Sequence, residues 1–121
     1  MTDNNHHLQY KKHLSEPWFS LLKIGLKKVE GRICQGDFSR MKKNDIVVFY
    51  NDDIFHREIR TKIKYINYYK SFIEYLETES LDRCLPGIDS VTDGLNVYYK
   101  FYSQKDENEK GVIAIRFKLI D

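Results

Sequence analysis
The sequence has no long hydrophobic run, little cysteine and little proline, and each scarcity excludes something. No apolar stretch approaches the roughly 20 residues that a membrane-spanning helix needs. The opening Met1-Thr2-Asp3-Asn4-Asn5-His6-His7 lacks a hydrophobic segment of the signal-peptide kind. Two cysteines, Cys34 and Cys84, are too few for a disulfide framework and form no CxxC pair. A cytoplasmic, reducing setting is therefore expected. The histidines and cysteines have no zinc spacing, so no metal is expected. Neither GxxxxGK[ST] nor GxGxxG occurs, and no cofactor is implied. A GxSxG elbow and a Ser-His-Asp order are both missing. Cys34 and His56 could be imagined as a thiol–imidazole pair, but a lone small cysteine is more simply core.

What remains is an ordinary folded composition. The 121 residues are 41% hydrophobic and 31% charged, enough for one domain to bury a core without staples. Residues 1–9 are polar and read as a flexible tail, with His6 and His7 tag-like rather than ligating, and residues 10–121 read as the domain. The net charge of +2 hides an asymmetry. Tyr10 to Lys70 carries 14 Lys and Arg against 7 Asp and Glu, and the remainder 6 against 11. A basic first half points to an anionic partner, and nucleic acid or a nucleotide is the natural candidate. Mutual neutralisation of the two halves is the plainer alternative.

The chain turns on Gly25-Leu26-Lys27-Lys28-Val29-Glu30-Gly31-Arg32-Ile33. Before it, Ser15 and Glu16 followed by Pro17 predict a helix start, since Pro suits a first turn and a side-chain oxygen can take the free amides. Trp18, Leu21, Leu22 and Gly25 share its buried stripe. Gly25 predicts its end, because a residue without Cβ enters the left-handed conformation freely. The extended segment that follows alternates faces. Val29, Gly31 and Ile33 fall on one side, Lys28, Glu30 and Arg32 on the other, with Lys27 at the mouth. Two cations around a carboxylate can hold a phosphate or a base edge, or do acid–base chemistry; equally they can be a solvated face.

Tyr10–Leu14 reads as a short strand or lead-in. Cys34 to Lys43 reads as a loop projecting Arg40, Lys42 and Lys43, and Asp45–Tyr50 as a strand buried on both faces. After a turn at Asn51-Asp52-Asp53, Ile54–Asn67 is predicted to pair back as a hairpin. Its Ile59, Thr61, Ile63 and Tyr65 face inward and Glu58, Arg60, Lys62 and Lys64 outward. Ser71 caps a helix to Glu79 with Phe72, Ile73 and Leu76 inward. Leu81–Leu85 extends it, stopped by Pro86-Gly87. Ser90–Ser103 is a helix with a tyrosine seam, from which one hydroxyl could reach a cleft. Lys105–Lys110 reads as a charged loop. Gly111–Ile120 is a last strand with Ile113, Ile115, Phe117 and Leu119 inward. Four strands and three helices make one α+β domain, its mixed sheet curled into a small barrel.

These residues, in this order, resemble the ASCH domain family of the PUA-like superfamily. Pro17-Trp18-Phe19 matches its first helix, and Gly25-x-Lys27-x-x-Glu30-x-Arg32 its GxKxxExR signature. Gly36-Asp37 is similar to the family's loop. Lys43-Asn44-Asp45-Ile46-Val47-Val48-Phe49 is similar to its GD-apolar strand, with Asn44 where Gly is usual, and Gly111–Ile115 to its last strand. The resemblance covers Leu14 to Ile120. It implies a small β-barrel flanked by about three helices, and a cleft where the signature strand meets them. It also implies RNA or nucleotide binding, with Lys27, Lys28, Arg32, Arg40, Lys42, Lys43 and Arg60 as cationic contacts and Glu30 reading a base or fixing Arg32. Some small bacterial members hydrolyse N4-acetylcytidine with a Lys, a Thr and a Glu. Lys27 falls on that Lys, Glu30 stands at the Thr position, and Glu77 or Glu79 would be the distal Glu. A small amidohydrolase of N4-acylated cytidine, with Lys27 and Glu30 catalytic, is thus the alternative to a binding module, and a protein-interaction domain the second alternative. Neither membrane nor metal enters any of these readings.

Overall fold
The structure, a computed structural model, describes residues 7–120. Five strands form one sheet: β1 (Gln9–His13), β2 (Val29–Ile33), β3 (Ile46–Asn51), β4 (Arg57–Tyr69) and β5 (Val112–Ile120), in the order β1-β3-β4-β5-β2. β1 lies parallel to β3 and the remaining pairings are antiparallel, so the sheet is mixed, and it curls into a half-barrel. Around it stand α1 (Trp18–Lys23), α2 (Phe72–Glu79), α3 (Leu81–Cys84), α4 (Val91–Tyr99) and α5 (Gln104–Lys110), with a 3₁₀ turn at Gly36–Ser39.

Two apolar clusters hold these elements. Phe19 and Leu22 of α1 pack with Val47, Phe49, Ile63 and Phe117 from one face of the sheet. Phe72, Tyr75, Leu76, Leu85 and Tyr98 pack with Val29, Ile33, Val112 and Ala114 from the other. Strands β2 and β5 lie between the clusters, which explains why Val112 to Ile115 are buried without alternation. Full burial of a side chain such as Phe19 or Phe49 is worth about 1.5–3 kcal/mol.

Local chemistry sets the boundaries. Gly25 ends α1 with φ of 86°. Glu16 caps that helix, its carboxylate accepting from the Ser20 amide at 2.9 Å and hydroxyl at 2.7 Å. Asn44 has φ of 77°, the left-handed geometry that accounts for Gly at this point in the family pattern, since Asn tolerates it best after Gly. Ser71 and Ser90 each accept the amide three residues on, starting α2 and α4.

Several expectations are corrected. Residues 104–110 are helical rather than a loop. Ser103 caps them through the Asp106 amide, and buried Glu107 ties them to the Phe72 amide at 2.7 Å and the Tyr99 hydroxyl at 2.7 Å. Among the described residues there are five strands and five helices rather than four and three. Of the expected loose tail, residues 1–6, including His6, lie outside the described residues. Leu8 and Gln9 are held: Leu8 donates to Asp45 at 3.1 Å, and Gln9 opens β1. In α1 the buried pair is Phe19 and Leu22, while Trp18 is half-buried. β4 begins at Arg57, leaving Ile54 and Phe55 exposed in the turn. A bulge in β4 between Ile63 and Tyr65 shifts the alternation, so Tyr65 is exposed and Ile66 turns inward. Ile73 and Leu119 are exposed too, and Tyr75 takes the buried place expected of Ile73. Among the described residues no helix is long and apolar enough to cross a membrane.

Candidate functional site
β2 is an edge strand, and its polar face is the floor of a cleft. Lys27, Glu30 and Arg32 meet there. The Lys27 ammonium is 3.1 Å from Glu30 Oε1, and Arg32 Nε donates to Glu30 Oε2 at 2.5 Å. The side chains of Lys27, Glu30 and Arg32 are 1%, 7% and 18% exposed, so the face expected to carry charge is not a solvated one. Burial alone would raise the Glu30 pKa. The charges of Lys27 and Arg32 outweigh it and hold the carboxyl below its ordinary value, ionised at neutral pH. The triad carries a net charge of one positive.

The two cations have different freedom. Lys27 donates its remaining protons to the carbonyls of Val29 at 2.6 Å and Cys84 at 2.5 Å, so all three N–H groups are used inside the fold. Arg32 donates to the His13 carbonyl at 2.7 Å, tying β2 to the end of β1 across the open side of the curl. Its guanidinium lies 5.0 Å from the Phe38 ring centroid. It also hydrogen-bonds the Tyr102 hydroxyl.

The cleft has a volume of 220 Å³. Trp18 from α1 and Tyr98, Phe101 and Tyr102 from the end of α4 wall it above the triad, and His13 to Ser15 close one side. Gly31 lets this assembly form. A Cβ there would sit 2.4 Å from Tyr75 Cζ, so only glycine admits the Tyr75 ring against β2. Tyr75 and Tyr98 share a hydrogen bond of 2.9 Å, and Phe72 stacks on Tyr98 at 4.5 Å between centroids. Burial pushes the Tyr75, Tyr98 and Tyr102 hydroxyls up, which keeps them as protonated donors. The Cys84 thiol is likewise raised by burial, to about 11, and is not a nucleophile at neutral pH.

The other sequence candidates lie elsewhere. Lys28 is exposed and donates to the Gly25 carbonyl at 2.9 Å. Arg40 pairs with Asp37 at 2.5 Å, and Asp37 also takes Lys12. Lys42 and Lys43 are exposed beside the loop that buried Asp45 ties down through the Lys42 amide. Arg60 is on the outer face of β4. None of these five lines the cleft. Glu77 is exposed, whereas Glu79 is buried and accepts from Asn67 at 2.8 Å and from the Tyr65 and Tyr69 hydroxyls. Both nitrogens of His56 engage Asp52 and Glu58 on the surface, with Cys34 half-buried against the core. Sequence reading missed the aromatic wall. Its signal was the tyrosine seam running past the end of α4 into Phe101 and Tyr102. Among the described residues no group of three or more His, Cys, Asp or Glu could hold a metal ion.

The comparisons with known proteins agree with one another. The sequence profile of the ASCH domain matches residues 13–121. The crystal structure of hypothetical protein PH0355 is similar at a TM-score of 0.85 and 34% identity, over 93% of this chain and 100% of that one. The solution NMR structure of protein PF0455 from Pyrococcus furiosus is similar at 0.77 and 32% identity, over 94% and 99%. No curated protein matches the sequence.

Proposed function
This chain belongs to the ASCH domain family, and from that premise we propose that it is an RNA- or nucleotide-binding module that takes a single base or nucleoside in the cleft above Lys27, Glu30 and Arg32. The observation that carries this reading is an ionised, nearly buried carboxylate fixed between two cations on the floor of an aromatic-walled cleft. Glu30 accepts from an exocyclic amino or ring N–H group, Arg32 donates to a carbonyl or phosphate oxygen, and Trp18, Tyr98, Phe101 and Tyr102 supply faces for a planar ring. At 220 Å³ the cleft is below the range of about 300–1,000 Å³ typical of drug-sized ligands, which favours one base or nucleoside over a longer ligand.

Lys27 is a positioning residue in this reading. With its three protons committed to Glu30, Val29 and Cys84, it holds the carboxylate in place and presents no free lone pair to a substrate. That favours binding over hydrolysis of N4-acylated cytidine with Lys27 as base. The test is titration of isotope-labelled protein with cytidine and with N4-acetylcytidine. Shifts at Glu30 to Arg32, Tyr98 and Tyr102 that vanish in Arg32→Gln are expected. No shift with either compound would overturn the proposal, and release of acetate from the second would replace it with the hydrolase.

A further inference from the structure
On the other side of Lys27 from the cleft's aromatic wall lies a second pocket of 270 Å³, between the α1–β2 turn and the β4–β5 ladder. Lys27, Lys28, Lys64, Arg116 and Lys118 line it, and no carboxylate does. Lys27 is neutralised by Glu30, but among the described residues Lys64, Arg116 and Lys118 make no ion pair. Several cations of the basic half are matched instead: Lys11 with Glu58, Lys12 and Arg40 with Asp37, Arg57 with Glu16.

Three independent features concentrate charge here against its own repulsion. Arg116 Nε is buried without a hydrogen-bond partner, a state it shares with Arg57 Nε and the Tyr10 hydroxyl, but Arg57 has Glu16 as an ionic partner and Arg116 has none among the described residues. Lys62 and Lys118 are direct partners across the β4–β5 ladder, an arrangement that disfavours the bare sheet. The bulge that inserts Lys64 between the Ile63–Phe117 and Tyr65–Arg116 pairs leaves Lys64 lining the same pocket as Arg116 and Lys118. An anion bound here would answer all three.

We infer that this pocket is a phosphate site for the backbone of single-stranded nucleic acid. A strand is favoured over a lone phosphate because the cations are spread along the ladder. Lys62 faces Lys118 across the ladder, and beside that pair Lys64, in the bulge, and Arg116 carry the charge on toward the pocket. One phosphate cannot meet them all, whereas successive phosphates can. The nucleic-acid identity of the anion rests on the reading of the cleft; the pocket's demand for phosphoryl oxygens does not.

The test compares wild type with Lys64→Gln/Lys118→Gln, two exposed positions whose replacement leaves the core untouched. Binding of a short single-stranded oligocytidylate is measured against salt, with inorganic phosphate and cytidine as separate probes. Each phosphate contact to a single strand contributes about 0.7 to the slope of log affinity against log salt. The double variant therefore loses about 1.4 from that slope, while cytidine shifts at Arg32 and Tyr102 stay as in wild type. An unchanged slope overturns the site even if cytidine still binds the cleft. Conversely, oligocytidylate shifts at Lys64, Arg116 and Lys118 with no response to cytidine support the site and refute the cleft. Saturation by inorganic phosphate with no added affinity for the oligonucleotide would overturn the strand.

Discussion

Glu30→Gln is the substitution that interrogates the triad most directly. The replacement keeps the shape and removes the charge, leaving the Lys27 ammonium and the Arg32 guanidinium facing an amide. One amide oxygen can still accept from one cation, but its NH₂ then opposes the other. Lys27 is 1% exposed and has no water to turn to. Removing one partner of a buried ion pair costs about 3–5 kcal/mol, a large part of the roughly 5–15 kcal/mol that holds a domain folded. With an m-value of about 2 kcal/mol/M, the urea midpoint falls by about 2 M. The pH dependence follows with a definite sign. Glu30 has a folded pKa below its ordinary value of 4.5, so its contribution is complete above that value and is lost as pH falls through the folded pKa. The gap between wild type and variant is therefore widest at neutral pH and narrows in acid. Urea unfolding followed by far-UV circular dichroism, at about pH 7 and about pH 3, measures both. A cost below about 1 kcal/mol, or a gap indifferent to pH, would refute the claim that the triad is a buried, ionised unit.

Gly31→Ala drives a Cβ into the fully buried Tyr75 ring and breaks the Tyr75–Tyr98 hydrogen bond, at a cost of about 2–4 kcal/mol from overpacking and the lost bond. Adding Tyr75→Leu recovers part of it, and additive losses in that double-mutant cycle would show that the two side chains do not collide. Lys118→Glu turns the Lys62–Lys118 repulsion into attraction, so it stabilises the fold by about 0.2–1 kcal/mol in thermal unfolding while weakening oligonucleotide binding. A loss of stability would mean that the repulsion is absent.

How much of this was legible in the sequence depends on what each residue needed to know. Gly25 announces a helix end through its backbone freedom and Ser71 a helix start through its side-chain oxygen, and the structure uses both as expected. The Lys27–Glu30–Arg32 grouping was legible because a strand's alternation puts Glu30 and Arg32 on one face. Its burial was not, because that depends on Cys84 and His13, far away in sequence. Residues 105–110 read as a loop because Lys-Asp-Glu-Asn-Glu-Lys has no apolar stripe; the helix is held by Glu107 reaching polar partners. Tyr65 and Leu119 defeated period-two reading for different reasons. The first follows a bulge that no local pattern marks, and the second lies in the stretch of β5 past Phe117, where burial gives out.

The sheet order has a consequence for when the site can come into being. β2, with its polar floor at residues 29–33, hydrogen-bonds into the sheet through β5 alone, Val29 opposite Arg116 and Ile33 opposite Val112. During synthesis the signature residues emerge and then wait, because β3, β4 and α2 to α5 are all made before the partner strand. The entropy of closing so long a loop falls on this one pairing. A nascent chain extended only as far as α5 holds every polar residue of the cleft and has no strand on which to hang them.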